Sequence, residues 1–229
     1  MVNEVTGSIA QKIDSIKQQI PDRVRLIAIT KQVSVAKMRE AYQVGVKDFG
    51  ENRLQEALVK QQELQDLSDI CWHFIGHIQK NKAKKIVEHF QWIHSVDSLA
   101  LAKRLDRLAV ESSRQPKVCL QVKILPDPNK YGWHIPELWA DLPELDKCQN
   151  LNIQGLMTIM PLGLTSAEVA IAFKKTQQLA TEINQQSWQN ISMQELSMGM
   201  SGDYLLAIEA GATMIRLGRT IFGERNAKM

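Results

Sequence analysis

Eight short apolar runs alternate with helix-type patterns along the 229-residue sequence, and this alternation restricts the fold more than any other feature. Between the runs, apolar residues recur at the three-to-four-residue spacing of an amphipathic helix. A helix between two strands returns the chain to the same edge of the sheet, so neighbouring strands pair in parallel. The predicted strands are 24–31, 46–49, 71–75, 92–96, 117–124, 153–159, 194–198 and 213–217.

The number of strand–helix units predicts a closed barrel. Eight such units are the number that closes a (β/α)8 barrel of the TIM type, so we predict this α/β fold. An open, doubly wound sheet is the alternative, although it usually has fewer strands for this length. Thr165 and Glu168 have the spacing of a capping box at the start of one helix. The predicted helices are 34–44, 51–66, 80–89, 98–113, 136–146, 166–188 and 202–210.

An extra helix is predicted before the first strand. Its apolar positions at helical spacing are Val5, Ile9, Ile13, Ile16 and Ile20. Pro21 ends the pattern. The 44% hydrophobic composition is enough for one large core, and no linker or internal repeat interrupts the chain. We therefore expect a single domain over residues 1–229.

The charge balance restricts the partners. The chain has 28 basic and 25 acidic residues, a net charge of +3, which favours a small molecule over nucleic acid or an anionic membrane. No apolar run approaches the length of a membrane span, and no secretory signal pattern is evident, so we expect a cytoplasmic protein. The three cysteines are widely spaced and are interpreted as reduced packing residues.

Lys31 lies at the carboxyl end of the first predicted strand, and parallel sheets bind their ligands beyond the carboxyl ends of their strands. The preceding run is aliphatic, and aliphatic neighbours favour the uncharged amine, which is the form that attacks an aldehyde to give a Schiff base. A lysine that only extends its amine to water would show the same pattern. The run alone leaves both interpretations open.

Glycine-containing loops follow the seventh and eighth predicted strands, at 199–203 and 218–223. Barrels often bind phosphate with these two loops, because glycine lets backbone N–H groups approach the oxyanion. Ser201 and Thr220 would add hydroxyl donors. The glycine spacing of the second loop matches a P-loop, but the required Lys-Ser/Thr pair is absent, which argues against a nucleotide hydrolase.

Arg216 interrupts the eighth predicted strand, whose two faces should both be dry. Leaving a buried guanidinium without its partner costs about 3–5 kcal/mol, so we expect either a carboxylate inside the barrel or an acceptor on a ligand. His73 and His77 are four residues apart, but they lie in a strand and its following loop, so they do not indicate a metal pair. His77 is interpreted as a residue of the barrel mouth.

Six blocks of the sequence form a combined pattern. They are AITK at 28–31, FGENRLQE at 49–56, WHFIGHIQKNK at 72–82, HSVDS at 94–98, GLM at 155–157, and LSMGMS from 196 continuing through Gly223. In these blocks, which span nearly the whole chain, the sequence resembles the pyridoxal phosphate homeostasis protein family, whose barrel is of the alanine-racemase type. It departs from the family pattern at Gln32 and Val33, where a threonine and a second lysine are more common, and at Lys80.

The resemblance implies that the chain binds pyridoxal 5'-phosphate. Lys31 would form the internal aldimine and Arg216 would approach the pyridine nitrogen. Ser201, with the backbone around Gly218 and Thr220, would hold the phosphate. The implied binding residues are Lys31, Asn52, His77, Met157, Ser201, Arg216, Gly218 and Thr220.

The resemblance also implies little or no catalytic turnover. Arginine only donates hydrogen bonds, so Arg216 does not favour the protonated ring nitrogen that makes this cofactor a strong electron sink. Racemases with this barrel add a strand-rich domain that supplies a tyrosine base, whereas this chain ends six residues after Gly223. We therefore expect a monomeric carrier or regulator of the cofactor, with apo-enzymes that require pyridoxal phosphate among its possible partners.

Two enzyme classes compete with this interpretation. An amino-acid racemase would need a second base near the lysine, and the best candidates in the sequence are His77 and Tyr204. A Schiff-base aldolase acting on a phosphorylated sugar would use the same lysine and phosphate loops without any cofactor. Visible colour separates the second class, because only a protein that holds the cofactor absorbs visible light.

Overall fold

The computed structural model describes residues 7–224 and contains a closed barrel of eight parallel strands. The strands follow one another in chain order, and the last pairs with the first, with Ala28 opposite Leu217. The predicted (β/α)8 barrel is confirmed. The strands are β1 Arg25–Ile29, β2 Asp48–Glu51, β3 Cys71–Phe74, β4 Trp92–Val96, β5 Lys117–Gln121, β6 Asn152–Met157, β7 Ile191–Ser197 and β8 Met214–Leu217.

Helices connect the strands and surround the barrel, and the predicted extra helix precedes β1. The helices are α1 Ile9–Gln19, α2 Val35–Gln43, α3 Leu54–Glu63, α4 Ala83–His89, α5 Leu99–Glu111, α6 Ile135–Leu145, α7 Ser166–Asn184, α8 Tyr204–Glu209 and α9 Arg219–Phe222. A 3-10 turn, Lys80–Lys82, leads into α4. Val5, which belongs to the predicted extra helix, lies outside the described residues. The short α9 was not predicted, because its four residues carry no helical period.

Side-chain caps explain where several helices begin. Thr165 Oγ1 accepts from the Glu168 N–H, and Glu168 accepts from the Thr165 N–H, which confirms the predicted capping box. Ser8 and Gln11 form a second capping box at the start of α1. The predicted helix 51–66 begins later than expected, at Leu54, because Glu51 still belongs to β2.

Alternating residues of each strand face two different cores. Ala28 packs in the large core between sheet and helices, whereas its neighbours Ile27 and Ile29 pack in a small core inside the barrel. The barrel interior also buries His73 and Arg216, although aliphatic side chains usually fill such interiors. The inside of the barrel is therefore unusually polar.

Two further observations concern the whole described chain. Cys71, Cys119 and Cys148 are free thiols. None of the helices within residues 7–224 combines the length and the apolar character that crossing a bilayer requires.

Candidate functional site

A cavity of about 780 Å³ lies at the carboxyl ends of the strands. Residues that follow β1, β2, β3, β7 and β8 line it, together with the end of β6 and the loop after it. This is the end of the barrel at which TIM-barrel proteins bind their ligands. Six of the predicted binding residues line the cavity: Lys31, Asn52, Met157, Ser201, Arg216 and Gly218.

The other two predicted residues lie beside the cavity rather than on its wall. The ring of His77 stacks on Tyr131 with the centroids 3.7 Å apart, and its Nδ1 lies 3.2 Å from Asp97 Oδ2. The N–H of Thr220 donates to Ser201 Oγ at 3.4 Å, which connects the two predicted phosphate loops. Contact of His77 or Thr220 with a ligand stays a prediction.

Lys31 lies in a sharp turn, two residues beyond the end of β1, and is half-buried. The next residue, Gln32, has a φ of 62°, a left-handed conformation that costs free energy for a residue other than glycine. The Gln32 N–H donates to Glu56 Oε1 at 2.5 Å, and this bond offsets the cost. The turn therefore depends on a side chain of α3.

A buried lysine holds the other side of this turn. Lys60 Nζ donates to the carbonyl oxygen of Thr30 at 2.6 Å, to Glu51 Oε1 at 2.7 Å and to Glu56 Oε1 at 2.6 Å. All three ammonium donors are thus used, and the residues on both sides of Lys31 are attached to the same network. Glu51, Glu56 and Lys60 act as the support of the Lys31 turn.

Burial and charge act in opposite directions on the two carboxylates of this support. Burial raises the pKa of Glu51, although Lys60 and the Thr30 hydroxyl offset part of the effect. For Glu56 burial also acts to raise the pKa, but the hydrogen bonds from Lys60 and Gln32 outweigh it, and the pKa is lowered. Glu51 is thus the member of the network that most needs its cation.

Arg216 enters the barrel interior without the carboxylate that was one of its two expected partners; an acceptor on a ligand, the other, stays a prediction. Nη1 donates to the carbonyl oxygen and the hydroxyl of Ser197, at 2.5 and 2.7 Å, and Nη2 donates to the carbonyl oxygen of Thr158 at 2.8 Å. Within residues 7–224 no carboxylate forms an ion pair with it. Burial lowers the pKa of Arg216 to about 10, so it remains a cation at neutral pH. Three of its five N–H groups are used, which leaves two donors for a ligand.

The loops after β7 and β8 present unused backbone donors to the cavity. Four N–H groups find no acceptor among the described residues: those of Ser201, Gly202, Gly218 and Arg219. All four residues line the cavity. Backbone N–H groups that have no protein acceptor and belong to the lining of one cavity suit a phosphate oxyanion.

Asn52 adds an unused acceptor. Its Oδ1 is buried and has no hydrogen-bond partner within the described part of the chain. The backbone of Asn52 is fixed by close packing, since a Cβ added at Gly76 would lie 2.3 Å from the Asn52 carbonyl oxygen. Buried polar atoms are rarely left unpaired, so a donor on a ligand is the natural partner. The cavity thus combines the Lys31 amine, the buried Arg216 cation, backbone N–H donors suited to a phosphate and the Asn52 acceptor. Together these groups fit a phosphorylated aldehyde.

Sequence reasoning missed the residues that support the site. Lys60 lies four residues after Glu56, which resembles an ordinary exposed ion pair on a helix. The signal that could have revealed it is its position three residues after Ala57, on the buried face of α3. His94 and Ser197 were also missed, because they meet only in the folded barrel.

Comparison with known proteins agrees with this geometry. Residues 6–226 match the family model described as the alanine racemase N-terminal domain. An alanine racemase of Clostridium difficile is 12% identical, with a TM-score of 0.72 over 96% of this chain and 57% of the racemase. At this identity the likeness concerns the fold alone.

Other relatives are far more similar. A pyridoxal phosphate homeostasis protein of Synechocystis is 54% identical over 206 residues, which are 90% of this chain and 94% of that protein. A protein of the same name from Pseudomonas aeruginosa is 42% identical over 90% of this chain and 86% of its own length. The structure of PipY of Synechococcus elongatus with pyridoxal phosphate bound is 52% identical, with a TM-score of 0.90, and covers 94% of this chain and 100% of PipY. The chain belongs to the pyridoxal phosphate homeostasis protein family.

Proposed function

We propose that this chain binds pyridoxal phosphate through the amine of Lys31 and takes part in vitamin B6 homeostasis as a carrier or regulator. One observation carries the proposal: Lys31, Arg216 and the unused N–H groups of the two glycine loops line the same cavity. Bound pyridoxal phosphate supplies an aldehyde that condenses with amines and a ring that withdraws electrons. The bound cofactor in PipY, which is 52% identical, supports the assignment.

Each binding role follows from the donors and acceptors that the site offers. The Lys31 amine attaches to the aldehyde, and the backbone around Ser201 and Gly218 holds the phosphate. Arg216 would donate one of its two remaining N–H groups to the single lone pair of the ring nitrogen, and Asn52 would accept from a ring substituent. Met157 contributes an apolar wall. His77 and Thr220 act from beside the cavity.

The direct test uses the purified protein and added pyridoxal phosphate. We expect visible colour, and we expect borohydride reduction to fix the cofactor on the chain in a form that denaturation does not release. Protein that stays colourless and unlabelled after soaking contradicts the proposal. A Schiff-base aldolase would remain colourless and would instead be labelled by a phosphorylated sugar.

We further propose that the bound cofactor does not turn over substrates. Among the described residues that line the cavity, none is a histidine or a tyrosine. Tyr204, one of the two candidate bases, is buried and donates to Gln19 Oε1 at 3.0 Å, and His77 is engaged with Tyr131 and Asp97. The carboxylates in the lining are Glu224 and Asp203, and Asp203 Oδ1 accepts from the Met200 N–H. Carbanion chemistry on this cofactor needs a base positioned at the reacting carbon, and because both candidate bases are engaged elsewhere the site favours holding the cofactor over using it.

Racemisation is the measurement that separates a carrier from a racemase. We expect the loaded protein to racemise alanine and other amino acids no faster than an equal concentration of free pyridoxal phosphate. Chiral chromatography after prolonged incubation measures this. Turnover well above the free cofactor, lost when Tyr204 is replaced by Phe, would favour the racemase interpretation.

Loss of the phosphate group is expected to weaken binding strongly. Hydrogen bonds to a charged group contribute about 1.5–3 kcal/mol each, and the loops offer several donors. Pyridoxal without phosphate should therefore bind at least about a hundredfold more weakly than pyridoxal phosphate. Absorbance titration of both vitamers compares the dissociation constants, and equal affinities would remove the phosphate role from the two loops.

The setting of this function follows the expectations from sequence. We propose that the chain acts as one domain, as a monomer and in the cytoplasm, and that it passes the cofactor to apo-enzymes that require it. Size-exclusion chromatography with light scattering tests the monomer. Activation of an apo-enzyme by the loaded protein, compared with the same amount of free cofactor, tests the transfer.

A further inference from the structure

A chain of hydrogen bonds crosses the inside of the barrel from Arg216 to the opposite end. Arg216 Nη1 lies 2.7 Å from Ser197 Oγ, which lies 2.8 Å from His94 Nδ1. His94 Nε2 lies 2.9 Å from His73 Nδ1, and His73 Nε2 lies 2.8 Å from Asp48 Oδ1. We call Ser197, His94, His73 and Asp48 the barrel relay.

The two ends of the relay determine the direction of every donor. An arginine can only donate and a carboxylate can only accept. Ser197 Oγ therefore accepts from Arg216, and its own O–H donates to His94 Nδ1. His94 donates from Nε2 to His73 Nδ1, and His73 donates from Nε2 to Asp48. With both imidazoles neutral, each of the four links has one donor and one acceptor.

The surroundings keep both imidazoles neutral. Both rings are fully buried, and burial lowers the pKa of His73. Burial is the largest cause that lowers the pKa of His94 well below its ordinary value, and the nearby Arg216 cation lowers it further. The Trp92 ring stacks on His73 with a centroid distance of 6.0 Å, which excludes water from that side.

Other charged and titratable groups surround the Asp48 end. Arg25 Nε on β1 lies 3.8 Å from Asp48 Oδ1, and Arg25 Nη2 lies 3.9 Å from Glu195 Oε1 on β7. The Cys71 thiol on β3 is also near, and burial together with Asp48 raises its pKa to about 12, so it stays protonated. The relay thus ends at the Asp48 carboxylate, near the mouth of the barrel that lies opposite the cavity.

We propose that the barrel relay positions Arg216 as the donor to the cofactor's ring nitrogen. Through its hydrogen bonds the relay also connects the Arg216 cation to a counter-charge, the Asp48 carboxylate at the far end of the barrel. The inference rests on the proposed function. Arg216 has no direct ion pair with a described carboxylate. Asp203, which also lines the cavity, acts on it electrostatically without a hydrogen bond, and the relay connects it through hydrogen bonds to a second carboxylate, Asp48. His73, His94 and Ser197 act through Arg216, so they are positioning residues. Hydrogen bonds in a medium of low dielectric constant polarise one another, which lets the charge act over several links.

The first test needs no cofactor. Nitrogen-15 NMR of the histidine rings distinguishes the two neutral tautomers from the cation. Between about pH 6 and 8 we expect His73 and His94 to remain neutral with the proton on Nε2. A cation on either ring, or an Nδ1–H tautomer, overturns the relay. So does an unprotonated Nε2 on His73, which a metal bound by Asp48, Cys71 and His73 would produce.

The second test measures how the relay affects the absorbance of the bound cofactor. In Asp48→Asn the amide oxygen still accepts from His73, but the negative charge is lost. A more positive surrounding disfavours protonated forms of the bound cofactor, so the pH midpoint of its absorbance transition should fall by about 0.5 pH unit. Ser197→Ala breaks one link beside Arg216 and should move the midpoint in the same direction.

Matched controls separate the relay from general effects. Thr176→Val removes a buried hydroxyl that donates within α7, and Asp69→Asn removes an exposed carboxylate that pairs with Lys47. Neither should move the midpoint. An unchanged midpoint in both Asp48→Asn and Ser197→Ala, with the cofactor bound, overturns the proposal. A protein that never takes colour contradicts the proposed function instead, and the ring tautomers then still decide whether the relay exists.

Discussion

Replacement of Lys31 by alanine should abolish covalent trapping of pyridoxal phosphate. Intact-mass spectrometry after borohydride reduction should find the adduct on the parent protein and at most about one hundredth of it on Lys31→Ala. The reason is positional: an amine held beside a phosphate site meets the aldehyde at a very high effective concentration, whereas surface lysines meet it only by collision. Because Lys31 is half-buried, the substitution should leave the barrel folded.

Lys37 provides the matched control for this experiment. It is an exposed lysine that lines a neighbouring cavity of about 640 Å³ together with Lys31. Lys37→Ala should keep the adduct and the visible colour. An undiminished adduct on Lys31→Ala, mapped to another lysine by peptide digestion, would assign the attachment elsewhere. Circular dichroism of both variants guards against a loss that comes from unfolding.

The fold could be predicted from sequence because its signals are local. Most strands overlap an apolar run and the longer helices each have their own period, so the order of elements and the barrel follow from local patterns. Lys31 and Arg216 were found for the same reason, since each is a charged exception within or beside such a run. Ser201 and Gly218 were found because glycine loops after the last two strands have a known use in barrels.

The rest of the site depends on contacts between distant parts of the chain. His94 and Ser197 are 103 residues apart in sequence, and no local pattern records that their side chains meet. The left-handed conformation of Gln32 is stabilised by the hydrogen bond that its N–H donates to Glu56 on α3, so the residue type does not indicate it. The partners of Arg216 were not predicted either, because two of its three acceptors are backbone carbonyl oxygens, which every sequence contains.

The support of the Lys31 turn leads to the largest expected change in stability. Lys60→Met should lower the free energy of unfolding by about 3–5 kcal/mol, because it removes one partner of a buried ion pair and leaves the other charged. Glu51 is completely buried, and its Oε2 already lacks a hydrogen-bond partner within the described residues. Urea denaturation followed by circular dichroism measures the difference. Lys103→Met, which removes an exposed ion pair to Glu144, should change stability little.

Two additional measurements test whether the buried Glu51 charge, left without its cation, causes this loss of stability. The double variant Glu51→Gln, Lys60→Met carries no buried charge at this position, so it should recover part of the stability that Lys60→Met loses. Lowering the pH should likewise recover part of the stability that the single variant Lys60→Met loses. Burial raises the pKa of Glu51 above its ordinary value, and Lys60→Met removes the main effect that opposes this shift. The folded variant therefore takes up the proton at a higher pH than the unfolded chain does, and the deficit shrinks as the pH falls through this raised pKa. A deficit that is independent of pH and unchanged in the double variant would point to lost packing instead.

Because Lys60 also holds the Thr30 carbonyl, the double variant should still load the cofactor more slowly than the parent protein.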